Sequence, residues 1–138
     1  MKVKIKKVSP MGVIPMYARP GDAGMDLTAA TIIDEGNLIT YKTGIAMEIP
    51  EGYVGLIFPR SSVYKTGMLM SNCVGVIDSG YRGEIQCKFY KNEHSAIFAQ
   101  GERIAQIVIM PYPQIEFEEV TELSDSERGD KGHGSTGK

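Results

Sequence analysis

Residues able to do acid–base and anion chemistry gather in a few short stretches of this 138-residue chain. The densest runs from Asn72 to Gln86, NCVGVIDSGYRGEIQ. There an apolar run through Val74, Val76 and Ile77 delivers a carboxylate, Asp78, followed at once by Ser79, Gly80 and an aromatic, Tyr81. Short apolar runs bounded by Ser-Gly and Arg-Gly predict a β-hairpin or strand pair with tight turns. In such a hairpin the carboxylate sits where a rigid strand ends, and the glycines let a ligand come close to the backbone. That combination suits a general base beside a slot for a nucleobase and its sugar. A second cluster, PRSSVYKTGM at 59–68, predicts one short helical turn after Pro59, ended by Gly67. Arg60, Ser61 and Ser62 then stand at its start, where a guanidinium, two hydroxyls and open amides make a phosphate cradle. Taken alone, such a turn is more often an ordinary helix cap. Two more polar residues occupy unexpected places. Asp26 lies just inside a strand start, where turn amides can satisfy it as readily as a functional partner. Gln106 interrupts an apolar run, so either the core or a ligand must meet its amide.

The elements that must position these residues are strands. Residues 2–6 alternate Lys with Val3 and Ile5, the period of a half-buried strand. Strand-like segments follow at 31–33, 38–41, 45–49, 53–58 and 85–90, then a further segment at 96–99 and an apolar run holding Ile104, Ile107 and Ile109. Short strands at this spacing, without helical periodicity of useful length, predict one all-β domain, a sandwich or barrel with one short helix. A net charge of −2 provides no basic field for a nucleic-acid backbone, so no nucleic-acid partner is expected. Cys73 and Cys87 fall in apparent strands at a spacing that suits neither zinc nor a disulfide framework, and read as packed thiols in a reducing compartment. No apolar run has the length of a signal peptide core or a membrane span, so the expectation is a soluble, cytoplasmic protein without a membrane partner. From Ser124 the chain has no large aliphatic residue, which predicts a β-barrel domain over 1–123 and a flexible C-terminal arm over 124–138. Arg128, Lys131, Ser135, Thr136 and four glycines give that arm anion-binding chemistry.

In order, PGDAGMDL (20–27), PRSS (59–62), NCVGVIDSGYRGEIQ (72–86), GERIAQIVI (101–109) and RGDKGHGSTG (128–137) resemble the five motifs of the trimeric deoxyuridine triphosphatases (dUTPases). The resemblance implies a homotrimer of distorted β-barrel or jelly-roll (β-clip) subunits, with three active sites at the interfaces and the arm crossing onto a neighbour. It implies hydrolysis of dUTP to dUMP and pyrophosphate, which keeps uracil out of DNA and supplies dUMP for dTMP synthesis. Mg2+ would ride on the triphosphate without direct protein ligands, and Asp26 would orient Arg60 or a water of the metal's shell. By the same resemblance Asp78 is the general base, and Arg60, Ser61, Ser62 and Gln106 contact the phosphates. Arg128, Ser135 and Thr136 close over the terminal phosphate. Tyr81 packs on the deoxyribose, and Asn72, Val76, Ile77 and Gln86 complete the substrate-binding set. One departure stands out: the fifth motif usually reads RGxGGFGSTG, and here Lys131 and His133 replace a Gly and the Phe that stacks over uracil. Either His133 forms a weaker lid, or Phe89, Tyr90 or Phe98 covers the base instead. The alternatives on this scaffold are an enzyme related to dCTP deaminase, and a nucleotide-gated regulatory protein with an unknown protein partner.

Overall fold

The computed structural model describes residues 1–132. Among these the chain makes ten strands and one 3-10 turn. The strands are β1 (Lys4–Lys7), β2 (Met25–Thr28), β3 (Thr31–Asp34), β4 (Leu38–Lys42), β5 (Ile45–Glu48), β6 (Tyr53–Pro59), β7 (Leu69–Met70), β8 (Gly75–Ile77), β9 (Gln86–Tyr90) and β10 (Arg103–Pro111), with the 3-10 turn at Ser61–Lys65. All pairings are antiparallel. One four-stranded sheet runs β2-β10-β6-β8, the other β3-β4-β9-β7, and β1 pairs with β5 in a separate ribbon.

The alternation in the sequence explains how these sheets close on one core. In β9, Cys87 and Phe89 point inward while Gln86, Lys88 and Tyr90 face out, the period of a sheet with one wet face. The inward residues of both sheets and the ribbon meet in a single cluster that includes Leu27, Ile39, Tyr41, Ile45, Ile57, Phe89 and Ile107. Burying each large apolar side chain stabilises the fold by about 1.5–3 kcal/mol. Tyr41, Phe89 and Phe98 pack edge-on, with ring centroids 5.7 to 6.2 Å apart. The Tyr41 hydroxyl accepts the Phe98 amide at 3.0 Å, so a polar group in the core keeps a partner.

The expectation for 72–86 is corrected by the topology. β8 pairs with β6, whereas β9 pairs with β4 and β7, so the two halves belong to different sheets and do not form a hairpin. The residues between Ile77 and Gln86 are a crossover. Each half is apolar because it feeds the core from its own sheet: Gly75 and Ile77 from one side, Ile85, Cys87 and Phe89 from the other. Two other expectations also change. Residues 96–99 form no strand, because Phe98 is fastened by its bond to Tyr41 instead of by a ladder. Cys87 is buried as expected, but Cys73 is exposed, on a bend with φ 59°. Beyond Pro111 the described chain has no further strand or helix. No helix among the described residues is long and apolar enough to cross a membrane.

Candidate functional site

Asp26 is the centre of the first polar cluster. It lies on β2 directly opposite Gln106 of β10, which in turn lies opposite Phe58 of β6, so three adjacent strands bring Asp26, Gln106 and the end of β6 together. Arg60 follows β6 at the entry to the 3-10 turn with extended backbone, φ −76° and ψ 155°. Its Nε donates to Asp26 Oδ1 at 2.8 Å, and Arg103 Nη1 donates to Asp26 Oδ2 at 3.1 Å. The carboxylate thus holds two guanidinium groups, and its grip on Arg60 engages only the Nε edge. Gln106 Nε2 donates to the Pro59 carbonyl at 3.1 Å, while its Oε1 lies over Gly24, where any Cβ would collide with it. Gly24 is therefore needed for close approach, not for turn geometry. Asp22, Gly24, Asp26, Arg60, Ser61 and Gln106 line a cavity of about 320 Å³. Two arginine-bound carboxylate oxygens, an amide and a serine hydroxyl make a rigid pocket able to receive an anion through Arg60's remaining nitrogens.

The second cluster is built by the crossover after β8. Leu56 of β6 faces Val76, and Gly55 faces Ile77, so Asp78 stands beside Val54. Asp78 is exposed and lines a cavity of about 300 Å³ with Tyr53, Val54, Val76 and Tyr112. Three residues on, the Tyr81 amide donates to the Asp78 carbonyl at 3.1 Å, a tight turn that ties the aromatic to the carboxylate. The Tyr81 hydroxyl donates to the Glu84 carbonyl at 3.0 Å, and the ring lies over Gly83, where a Cβ would meet it. Arg82 Nη1 closes the same turn on the Ser79 carbonyl at 2.6 Å.

The two clusters sit at opposite ends of one strand. Val54 and Arg60 are separated by the length of β6, about 20 Å at roughly 3.3 Å per residue. They share a face, however. Gly55 and Ile57 point to the core, whereas Val54, Leu56 and Phe58 alternate outward beside Met110, Val108 and Gln106 of β10 and Val76 of β8. This outer face is apolar in the middle and chemically equipped at both ends.

Of the other residues singled out by sequence, Ser62 follows Ser61 in the first turn of the 3-10 helix, whose amides have no acceptor within the helix. Asn72 is exposed in the turn between β7 and β8, with Val76 and Ile77 on the strand itself. Gln86 opens β9 opposite Lys42, in the other sheet. Arg128 closes a local turn, its Nε donating to the Lys131 carbonyl at 3.1 Å. His133, Ser135 and Thr136 lie outside the described residues. Two of the proposed substitute lids are corrected: Phe89 is fully buried and Phe98 packs against it and Tyr41, so neither is placed to cover a base. Tyr90, the next residue of β9, faces outward and lines a cavity with Leu69 and Cys73. Sequence reading missed Arg103. Its only signal is its place three residues before Gln106 in a strand that pairs with β2. Among the described residues, no group of three or more His, Cys, Asp or Glu side chains is placed to hold a metal ion.

The fold and its first cluster define a class, all-β proteins with a polar pocket in which a strand carboxylate, Asp26, holds Arg60. The comparisons are more particular. The dUTPase family model matches residues 11–137, and the chain belongs to the dUTPase family. It is 43% identical to the deoxyuridine 5'-triphosphate nucleotidohydrolase of Corynebacterium glutamicum, with 99% of this chain and 95% of the relative covered. The fold is similar to that of the Staphylococcus bacteriophage 80alpha dUTPase solved with dUPNHPP, at a TM-score of 0.83, 31% identity, and 99% and 98% of the two chains covered. It is also similar to a mutant dUTPase of the S. aureus phage phi11, described with a structural Mg(II) ion, at a TM-score of 0.74, 26% identity, and 88% and 98% covered.

Proposed function

We propose that this protein hydrolyses dUTP to dUMP and pyrophosphate as a homotrimer whose active sites are each assembled from more than one chain. The observation that carries this reading is the placement of the two clusters at opposite ends of β6 on one apolar outer face. Groups about 20 Å apart cannot serve one phosphate. A second copy laid on the apolar stretch between them brings its own Asp78 to the Arg60 pocket, and covers Val54, Leu56, Phe58 and Val76 in doing so. Closed cyclic symmetry then repeats the junction at each interface.

In this site the Arg60 pocket holds the polyphosphate. Asp26 keeps the guanidinium aimed, Ser61 and Ser62 offer hydroxyls and amides, and Gln106 adds its amide. Asp78 of the adjoining chain orients and deprotonates the water that attacks the α-phosphate in line. Tyr81, pressed on Gly83 and tied to the Glu84 carbonyl, forms a fixed wall against the sugar, which leaves no space for a ribose 2'-hydroxyl. Backbone groups of 72–77 read the uracil edge, and polar readout of this kind discriminates by about 10⁴–10⁵. The C-terminal arm, with Arg128, His133, Ser135 and Thr136, closes over the substrate from another chain. Mg2+, when bound with the substrate, would supply charge neutralisation on the phosphates. Both Asp26 oxygens already accept arginine bonds, which suits a cation held by phosphate oxygens and waters. Asp26 is then the carboxylate that would face its water shell. The product supplies dUMP for dTMP synthesis, and removal of dUTP keeps uracil out of DNA.

The test is pyrophosphate release from dUTP, dCTP, dTTP and UTP by the native protein and Asp78→Asn. Selective cleavage of dUTP, lost in the variant, is expected. Ammonia release from dCTP, or dUTP cleavage untouched by the substitution, would overturn the reading.

A further inference from the structure

We propose that Glu84 is a positioning residue for sugar selection, acting through Tyr81; the inference rests on the dUTP reading above. The Tyr81 ring is 42% exposed and, besides its contact with Gly83, is fastened at its tip, where the hydroxyl donates to the Glu84 carbonyl at 3.0 Å. The position of that carbonyl therefore sets the position of the wall. Glu84 is itself held by its side chain: Oε1 accepts the amide of buried Gly44 at 2.9 Å, and Oε2 lies 3.6 Å from Lys42 Nζ. On its far side the next residue is sewn to the same turn. The Ile85 carbonyl accepts Thr43 Oγ1 at 2.8 Å and the Thr43 amide at 3.1 Å, and the Ile85 amide donates to Ile45 at 2.9 Å.

Glu84 thus transmits the rigidity of the β4–β5 turn to Tyr81. The Gly44 bond is the working contact, because it is short and meets a buried amide, whereas the Lys42 pair is long and part-exposed. Charge is not required of the residue, only an acceptor at that distance.

The experiment measures kcat/KM for dUTP and UTP in the native protein, Glu84→Ala, Glu84→Gln, Tyr81→Phe and the Ala–Phe double variant. Glu84→Ala is expected to lower the dUTP-to-UTP ratio about tenfold, the effect of one positioning hydrogen bond. Glu84→Gln, which keeps an acceptor, restores most of the ratio, and the double variant is no less selective than Tyr81→Phe alone. Should Glu84→Ala not fold, Glu84→Asp, too short to reach Gly44, takes its place. An unchanged ratio in Glu84→Ala, or a fall in Glu84→Gln as large as in Glu84→Ala, would overturn the proposal. A native protein that does not cleave dUTP fails the functional reading instead, so the two failures are distinguishable.

Discussion

Mixing two inactive variants tests the division of the site between chains. Arg60→Ala removes the guanidinium held by Asp26 and is expected to cost about 10²–10³ in kcat, as loss of an electrostatic clamp does. Asp78→Asn keeps the shape of the second cluster and removes its base, for a loss of about 10²–10⁴. In the folded chain these residues are about 20 Å apart along β6, yet the base and the phosphate-holding groups must each reach within about 3 Å of the reacting atoms. If Asp78 of one chain serves Arg60 of the next, a trimer containing both variants has one junction at which two intact halves meet. Equal amounts refolded together at random then restore about one site in four, so kcat per chain rises to about a quarter of the native value. The assay is pyrophosphate release from dUTP after joint refolding, with separately refolded samples mixed afterwards as the control. Activity no greater than the sum of the two variants, in a sample that contains mixed trimers by mass, would refute the shared site.

Other outcomes follow from particular contacts. Asp26→Asn weakens the hold on Arg60 and Arg103 and should lower kcat/KM about tenfold or more without loss of folding, measured by kinetics beside a thermal melt. Phe89→Ala opens the aromatic cluster and should cost about 3–5 kcal/mol in denaturant unfolding, while KM for dUTP stays near native because the ring is in the core and not over the base. Alkylation in the native state should mark Cys73 and spare Cys87, whose thiol is pushed up to about 12 by burial. Because that folded value lies above the ordinary 9.0, the stability linked to Cys87 is whole below pH 9.0 and declines as pH rises toward about 12. A stability-versus-pH series in which Cys87→Ser declines less steeply than the native protein over that window checks the sign, since Tyr41, also raised by burial, contributes a decline of its own above pH 10.0.

Local structure was legible in the linear order of residues. Period-2 alternation in β9 reports which side chains meet the core, because strand geometry alone assigns alternate residues to opposite faces. The turn residues after Pro59 and around Asp78 were legible for the same reason: tight turns and close approaches demand particular residue types at short range. The motifs therefore offered Asp78, Tyr81, Arg60 and Gln106 as candidates for the chemistry. Pairing partners were not legible, since two apolar runs joined by a glycine-rich link read alike whether they pair with each other or enter separate sheets. Only the tertiary structure placed β8 beside β6 and β9 beside β4, which turned an expected hairpin into a crossover. It also placed Phe89 in the core and made Asp26 the partner of both Arg60 and Arg103, which lie 34 and 77 residues away in sequence. Contacts at such separations depend on sheet order and register, which arise from the packing of the whole core. By the same physics, the two clusters face outward at opposite ends of β6, a distance that no spacing along the chain encodes.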